Sequence, residues 1–213
     1  MELVIGEPYI TDGEKSRLVF DINNFTGRYK LYFEVEQMYR NYLTIELSDA
    51  YLVCVFLYAM EHGMDIRCEG AISERLYNQL TRYLIPAIAK NIKRYKAIRI
   101  QCKISDIEFH GKAVGTGLSC GVDSFYAVLK NLEHDVNSKL RLTHLCFFNA
   151  GATGMFGGEK ARHIYNERLK RFQIVSNELG CSFFSCDSNM NEFLMQEHEM
   201  THVFRTLAIP LAL

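Results

Sequence analysis

The sequence predicts an α/β fold, in which a parallel sheet with flanking helices follows a small α+β domain. Residues 113–118, 142–148 and 182–186 are short runs rich in apolar and β-forming side chains, and segments with apolar residues at helical spacing separate them. Strands and helices that alternate in this way form parallel sheets with right-handed crossovers. We therefore divide the chain into an N-terminal unit, residues 1–108, and an α/β unit, residues 109–213.

The N-terminal unit is predicted to begin with a β-hairpin and a buried helix. Residues 17–22 and 29–35 are rich in β-forming side chains, and the Asn, Thr and Gly residues between them favour a turn. The apolar run of residues 50–60 follows Ser48, a residue type common at helix N-termini. We expect a helix there that ends near Gly63.

Two strands and a divided helix are predicted to complete this unit. We expect one strand near residues 64–68 and another over residues 97–104, where apolar and polar side chains alternate strictly. Leucines at i+4 spacing predict a helix over residues 74–92, which Pro86 should kink or divide because proline lacks a backbone N–H. Residues 1–108 carry no motif of known chemistry, and docking of a protein partner is one role open to them.

The second half of the α/β unit is predicted to contain a glycine-rich loop, a long helix, a strand and a last helix. Residues 149–158 hold four glycines at the end of the second strand, a position where open α/β sheets bind ligands. The amphipathic segment that follows should form a helix ended by Gly180. We expect the last helix to run from Asn191 through Ile209 without interruption.

Composition and charge indicate a cytoplasmic protein with no bias toward nucleic acid or membranes. A hydrophobic content of 48% can fill a core, and a net charge of −1 gives no overall attraction to anionic polymers or lipids. The basic residues between Lys90 and Lys103 fit a solvated surface better than a nucleic-acid interface, so we expect no nucleic-acid partner. We see no signal peptide and no apolar run long enough to span a bilayer. The seven cysteines include no CxxC pair, which favours reduced thiols.

The α/β unit is organised around residues 119–124, with the sequence SCGVDS, between its first strand and its first helix. A strand, a tight loop and a helix N-terminus form an anion site, because backbone N–H groups and the helix dipole converge there. The loop is neither a Walker A motif, since Val122 follows Gly121, nor a dinucleotide GxGxxG motif, since Cys120 occupies the third glycine position. The helix should bury an apolar stripe of Phe125, Val128, Leu129 and Leu132.

Residues 119–124 resemble the SGGxDS pyrophosphate loop of the PP-loop ATP pyrophosphatases. This family includes ammonia-using synthetases and the 7-cyano-7-deazaguanine synthases, which are the nearest relatives that we name. Five of the six positions match, and Cys120 stands where the family has glycine. The resemblance covers residues 110–208 and implies a Rossmann-like domain with a larger sheet than the three strands evident here. Because the chain ends inside an apolar run, we expect this domain to be incomplete at its C-terminus.

The resemblance also implies an activity, two ligands and a set of site residues. The activity is cleavage of ATP to AMP and pyrophosphate, which adenylates a small-molecule acceptor before ammonia or another nucleophile attacks it. Asp123 would hold Mg²⁺, and no structural zinc is expected. Asp123, Ser124 and Arg205 would be catalytic. The residues expected to bind the nucleotide are Ser119, Cys120, Gly121, Val122, Asp123, Ser124 and Asn149.

The sequence is also consistent with two other functions. In the first, Cys120 marks a degenerate loop, and the protein is a non-catalytic nucleotide-binding or interaction module. In the second, His198, Glu199 and His202 form an HExxH motif of a zinc hydrolase, with Glu199 as general base. The extended form of that motif needs a further Gly and His, whereas this chain has Arg205 and Ala208 at those positions.

Overall fold

A single mixed β-sheet runs through the protein, as seen in a computed structural model that describes residues 1–109, 111, 113–133 and 138–213. Within these residues the sheet has nine strands, in the order β6-β5-β1-β3-β4-β9-β8-β7, and β2 pairs with β3. The strands are β1 (Glu2–Ile5), β2 (Tyr9–Asp12), β3 (Lys15–Asn24), β4 (Gly27–Glu36), β5 (Asp65–Ser73), β6 (Ile100–Ser105), β7 (Gly115–Gly117), β8 (His144–Phe148) and β9 (Ser182–Ser188). Residues 110 and 112, at the start of the PP-loop resemblance, lie outside the described residues.

Helices cover both faces of the sheet, so the predicted α/β class is confirmed. They are α1 (Asp49–His62), α2 (Glu74–Gln79), α3 (Ile85–Asn91), α4 (Val122–Glu133), α5 (Gly158–Glu178), α6 (Met190–Leu194) and α7 (His198–Ala208). None of the helices in the described part of the chain is long and apolar enough to cross a membrane.

The predicted hairpin and first helix are confirmed in the N-terminal half. β3 and β4 pair antiparallel over their full length, and the turn is fixed by the Thr26 N–H, which donates to Asn24 Oδ1 at 2.9 Å. α1 is buried along almost its whole length because it packs between the sheet and α7. Gly63 ends α1 in the left-handed conformation, at φ +62°. Glycine adopts that conformation without steric cost, which accounts for the end of the helix.

Pro86 divides the predicted helix over residues 74–92, as expected. α2 passes into a π-helical turn, Leu80–Leu84, before α3 begins with Pro86 in its first turn. Proline has no N–H to donate to the carbonyl one turn earlier, so the regular hydrogen-bond ladder breaks at that point.

The three strands of the α/β unit are parallel neighbours, which confirms the predicted topology. β8 lies between β7 and β9, with Gly117 opposite Cys146 and Phe148 opposite Cys186. One face of this trio packs against α4 and α5 around Leu145 and the stacked rings of Phe147 and Tyr165. The other face belongs to the large core that includes α1 and α7.

Strand β9 also joins the α/β unit to the N-terminal half. It pairs antiparallel with β4, placing Phe33 opposite Ser188 and Val35 opposite Cys186. The side chain of Asn189 strengthens the junction, because its Oδ1 accepts from the Tyr32 N–H at 3.0 Å. The two predicted units therefore share one sheet and one core, and the division of the chain at residue 108 stays a prediction.

Two expectations about the helices of the α/β unit are wrong. The last helix is not continuous, because Met195 adopts a left-handed conformation at φ +46° and separates α6 from α7. In α4, Val128 is buried, but Leu129 and Leu132 are 43% and 37% exposed. The short edge strand β7 offers α4 too little sheet surface to cover the whole predicted stripe.

Candidate functional site

Three chain segments meet at the carboxyl ends of the parallel strands β7, β8 and β9. Residues 119–124 follow β7, residues 149–157 follow β8, and Asp187 lies at the end of β9. The strands are in register, since the Asn149 N–H donates to the Cys186 carbonyl at 2.9 Å. Ligands of open α/β sheets bind at this edge, so it is the candidate site on topology alone.

The SCGVDS loop forms a compact turn closed by its two serines. The Ser119 hydroxyl donates to Ser124 Oγ at 3.2 Å, and the Ser124 hydroxyl donates to the Gly121 carbonyl at 2.9 Å. Ser119 Oγ also accepts from the Gly121 N–H at 3.3 Å. The first helical hydrogen bond of α4 runs from the Phe125 N–H to the Gly121 carbonyl, at 3.1 Å. The N–H groups of the first turn of α4 therefore have no acceptor one turn earlier and point out of the helix end.

Cys120 stands at the second position of the SCGVDS loop, where the backbone conformation favours glycine. Its φ is +57°, so a side chain stands on left-handed backbone. Such a conformation is unfavourable for residues other than glycine by roughly 1 kcal/mol. The loop of this protein thus keeps a glycine-like backbone while it carries an exposed thiol.

Asn149 is 2% exposed and ties the ends of two strands together. Its Nδ2 donates to Asp187 Oδ1 at 2.6 Å, and its Oδ1 accepts from the Thr153 hydroxyl at 2.9 Å. The side chain is thereby engaged within the protein. Its expected contact with a nucleotide stays a prediction, whereas its position at the candidate edge follows from β8.

The sequence analysis overlooked Arg162, which joins three chain segments beside Asn149. Its guanidinium lies 3.6 Å from Asp187 Oδ2, and its Nη2 donates to Glu192 Oε1 at 2.5 Å and to the Tyr32 hydroxyl at 3.3 Å. Burial raises the pKa of Tyr32, which keeps its hydroxyl protonated. Arg162 lies in α5, and its partners Asp187 and Glu192 are far from it in sequence. No local motif surrounds it, so the sequence contained no signal for this cluster.

Arg205, expected to be catalytic, lies inside the protein with an exposed fraction of 1%. Its Nη1 donates to Asn191 Oδ1 at 2.8 Å and to the Met155 carbonyl at 3.1 Å, and its Nη2 donates to the Gln196 carbonyl at 2.7 Å. Its Nε is buried without a partner, and burial lowers the pKa of the guanidinium. These bonds give Arg205 a structural position, while its role in catalysis stays a prediction.

The two histidines of the HExxH motif lie next to each other on α7, with ring centroids 5.4 Å apart. His202 Nδ1 lies 3.1 Å from the Glu199 carbonyl oxygen, and His198 Nδ1 is buried without a partner. Burial lowers the pKa of His198, and the neighbouring Arg205 cation lowers it further. Over the described ranges, no group of three or more His, Cys, Asp or Glu side chains is arranged to hold a metal ion.

A groove of about 470 Å³ borders β7 and β8 on the face opposite α4. Four aromatic rings contribute to its lining, and two of the three residues of β7, Gly115 and Gly117, have no side chain. The side chains and glycines that define its shape are Tyr39, Tyr42, Phe148, Phe184, Gly115 and Gly117.

Comparison of the chain with protein-family models, with curated proteins and with solved structures found no match. Arguments about function therefore depend on the geometry of the candidate edge and on the loop resemblance.

Proposed function

We propose that this protein binds ATP at the SCGVDS loop and cleaves it to AMP and pyrophosphate, as a PP-loop ATP pyrophosphatase does. The observation that carries the proposal is the position of the loop, residues 119–124, between the carboxyl end of β7 and the N-terminus of α4. A phosphate group at this point would meet the outward N–H groups of the first turn and the positive end of the helix dipole.

In the proposed complex, the β- and γ-phosphates lie on the loop and the chain supplies mainly orientation and charge stabilisation. The backbone N–H groups of Gly121 and Val122 and the hydroxyls of Ser119 and Ser124 would donate to phosphate oxygens. In the turn, the Ser119 and Ser124 hydroxyls and the Gly121 N–H each donate to another atom of the loop, so phosphate binding would exchange these three hydrogen bonds for bonds to phosphate oxygens.

Asp123 would hold Mg²⁺ in the same complex. Its side chain is exposed in the first turn of α4, where a carboxylate can face both solvent and bound phosphates. Mg²⁺ in phosphate sites usually takes one or two carboxylates together with phosphate oxygens and waters, so a single aspartate fits. The ion would neutralise part of the phosphate charge.

The proposed reaction has two steps. An acceptor carboxylate or amide oxygen attacks the α-phosphorus, a new oxygen–phosphorus bond forms, and the bond to the bridging β-oxygen breaks as pyrophosphate leaves with its electron pair. Ammonia or another nucleophile then attacks the adenylated carbon, and AMP leaves. Cleavage between the α- and β-phosphates distinguishes this chemistry from that of an ATPase that releases inorganic phosphate.

The test is pyrophosphate release from ATP, screened over acceptor acids and amides with Mg²⁺ and ammonium present. We expect Asp123→Ala to lower the turnover rate by about 10²-fold or more, since it removes the carboxylate that would hold Mg²⁺ against the reacting phosphates. Asp106→Ala is the matched control, because Asp106 is also an exposed aspartate and lies in a loop away from residues 119–124. Equal rates in the two variants would refute the proposal.

A non-catalytic nucleotide-binding module is the second candidate function, and Cys120 favours it. A side chain on left-handed backbone at the phosphate-binding turn can crowd the ligand without preventing binding. This candidate is supported if the wild-type protein binds ATP without releasing pyrophosphate and the Cys120→Gly variant does release it.

For the cellular setting, we propose a cytoplasmic protein whose N-terminal half contacts a protein partner. The free thiols of all seven cysteines support a reducing compartment. A pull-down that compares the wild-type protein with a variant substituted on the exposed surface of residues 1–108 would test for the partner. It would do so independently of nucleotide binding.

A further inference from the structure

The segment of residues 149–157 is held at several points along its length. At its start, Asn149 is bonded to Asp187, and Arg168 Nη1 donates to the Ala152 carbonyl at 3.4 Å. At its end, the Gly158 N–H donates to Glu192 Oε1 at 3.1 Å. The contact nearest its exposed tip is the hydrogen bond from Arg205 to the Met155 carbonyl.

Arg205 is an unusual residue to use for such a contact. Its guanidinium is buried, and its recorded acceptors are two carbonyls and one amide oxygen, with no carboxylate among them. Burial of a cation without a counter-charge is unfavourable, and the three hydrogen bonds of Arg205 offset part of that cost. What the arginine adds is geometry, because its fixed fork joins residues 155, 191 and 196, which lie in three separate segments.

The backbone of the loop lies directly against this arginine and its neighbour His198. Gly151 has a φ of +108°, and a Cβ added there would lie 2.5 Å from His198 Nδ1 and 3.3 Å from Arg205 Nη1. The loop is therefore in contact with the Arg205–His198 pair both at Gly151 and at Met155.

We propose that Arg205 is a positioning residue that fixes the conformation of residues 149–157 at the carboxyl end of β8, the strand that neighbours β7 and the SCGVDS loop that follows it. The expected effect of Arg205 on ATP affinity rests on the proposed function. Its expected effect on the conformation of residues 149–157 rests on the hydrogen bond and the close packing alone. Arg205 does not contact the reacting atoms in this proposal, and it acts through Met155.

Two measurements separate these effects. Limited chymotrypsin digestion followed by mass spectrometry reports cleavage after Phe156, which is 44% exposed next to the contact with Arg205. Calorimetric titration with ATP reports nucleotide affinity. The variants are Arg205→Met and Arg205→Lys, and the control is Arg171→Met, since Arg171 is an exposed arginine of the neighbouring helix α5.

We expect cleavage after Phe156 to be about tenfold faster in Arg205→Met than in Arg171→Met, and ATP to bind about tenfold more weakly, each corresponding to one lost charge-assisted hydrogen bond. Arg205→Lys keeps the charge but lacks the fork, so intermediate values in both assays are expected. If Arg205→Met does not fold, Arg205→Lys takes its place in the test. Its rate of cleavage after Phe156 must then be higher than that of Arg171→Met.

A folded Arg205→Met or Arg205→Lys that matches Arg171→Met in Phe156 cleavage would overturn the inference. If wild-type protein binds no ATP, the proposed function fails, and the cleavage rate alone decides whether Arg205 positions the loop. Faster cleavage with unchanged ATP affinity would refute the part of the inference that connects the loop to the nucleotide.

Discussion

Replacement of Gly151 by alanine should destabilise the protein more than the same change at Gly158. Both glycines have positive φ, +108° and +85°, so alanine is strained at either position by about 1–3 kcal/mol. The Cβ of an alanine at position 158 would meet no atom within 4 Å, whereas the Cβ of an alanine at position 151 would lie 2.5 Å from His198 Nδ1. Such overpacking typically lowers the free energy of unfolding by a further amount of about 1–3 kcal/mol. The difference between the two variants should therefore be about 1–3 kcal/mol.

Urea unfolding measures this difference through the midpoint at constant m-value. A double variant, Gly151→Ala with His198→Ala, removes the nearest clashing atoms, so the penalty at Gly151 should fall toward that at Gly158. Equal destabilisation by Gly151→Ala and Gly158→Ala would mean that the loop does not pack against His198 and Arg205. That result would also remove the geometric basis of the Arg205 inference.

Three further predictions address pH, the loop cysteine and the strand ends. Because the pKa of His198 is lowered from its usual 6.5 in the folded protein, the unfolded chain binds the proton more readily, and stability should fall as pH drops through about 6.5. Unfolding of His198→Gln from pH 7.5 to 5 should show a shallower loss than wild type, and identical pH profiles would contradict this. Cys120→Gly removes a side chain from left-handed backbone and should strengthen ATP binding about three- to tenfold by calorimetry; an unchanged affinity would exclude crowding by Cys120. Asp187→Ala deprives Asn149 and Arg162 of an acceptor and should lower the free energy of unfolding by about 1–3 kcal/mol, whereas Asp106→Ala should leave it unchanged.

Elements with a local pattern could be predicted from the sequence. The alternation of residues 97–104 predicts a strand that the structure has from Ile100 onward, and the apolar runs of β8 and β9 likewise predict strands from neighbouring residues. The turn residues between β3 and β4 predict the hairpin in the same local way. The adjacency of β7, β8 and β9 followed from the alternation of strands and helices, because consecutive strands of such units are usually neighbours in the sheet. The SCGVDS loop was located for the same reason, because a strand, a turn and a helix start lie within a few residues of one another.

The connection between the two halves of the chain could not be predicted in this way. β4 and β9 pair through residues such as Val35 and Cys186, which are far apart in sequence and have no complementary pattern. β4 is apolar on alternate positions, a pattern that many partner strands would satisfy. Only the complete packing of the core selects the pairing that merges the two predicted units into one sheet.

Helix α7 shows how a pattern can indicate the wrong face of a helix. Its apolar residues Met200, Val203 and Leu207 lie at helical spacing and are exposed, whereas Thr201 and Arg205 are buried. Hydrophobic periodicity would turn the first set inward, since arginine is rarely buried. The observed face is set by the three hydrogen bonds of Arg205 together with apolar burial, since Ala208 is buried and Phe204 packs edge-to-face on Phe56. A buried arginine whose fork holds three acceptors on this face is the strongest reason to expect that the position of Arg205 matters for more than packing.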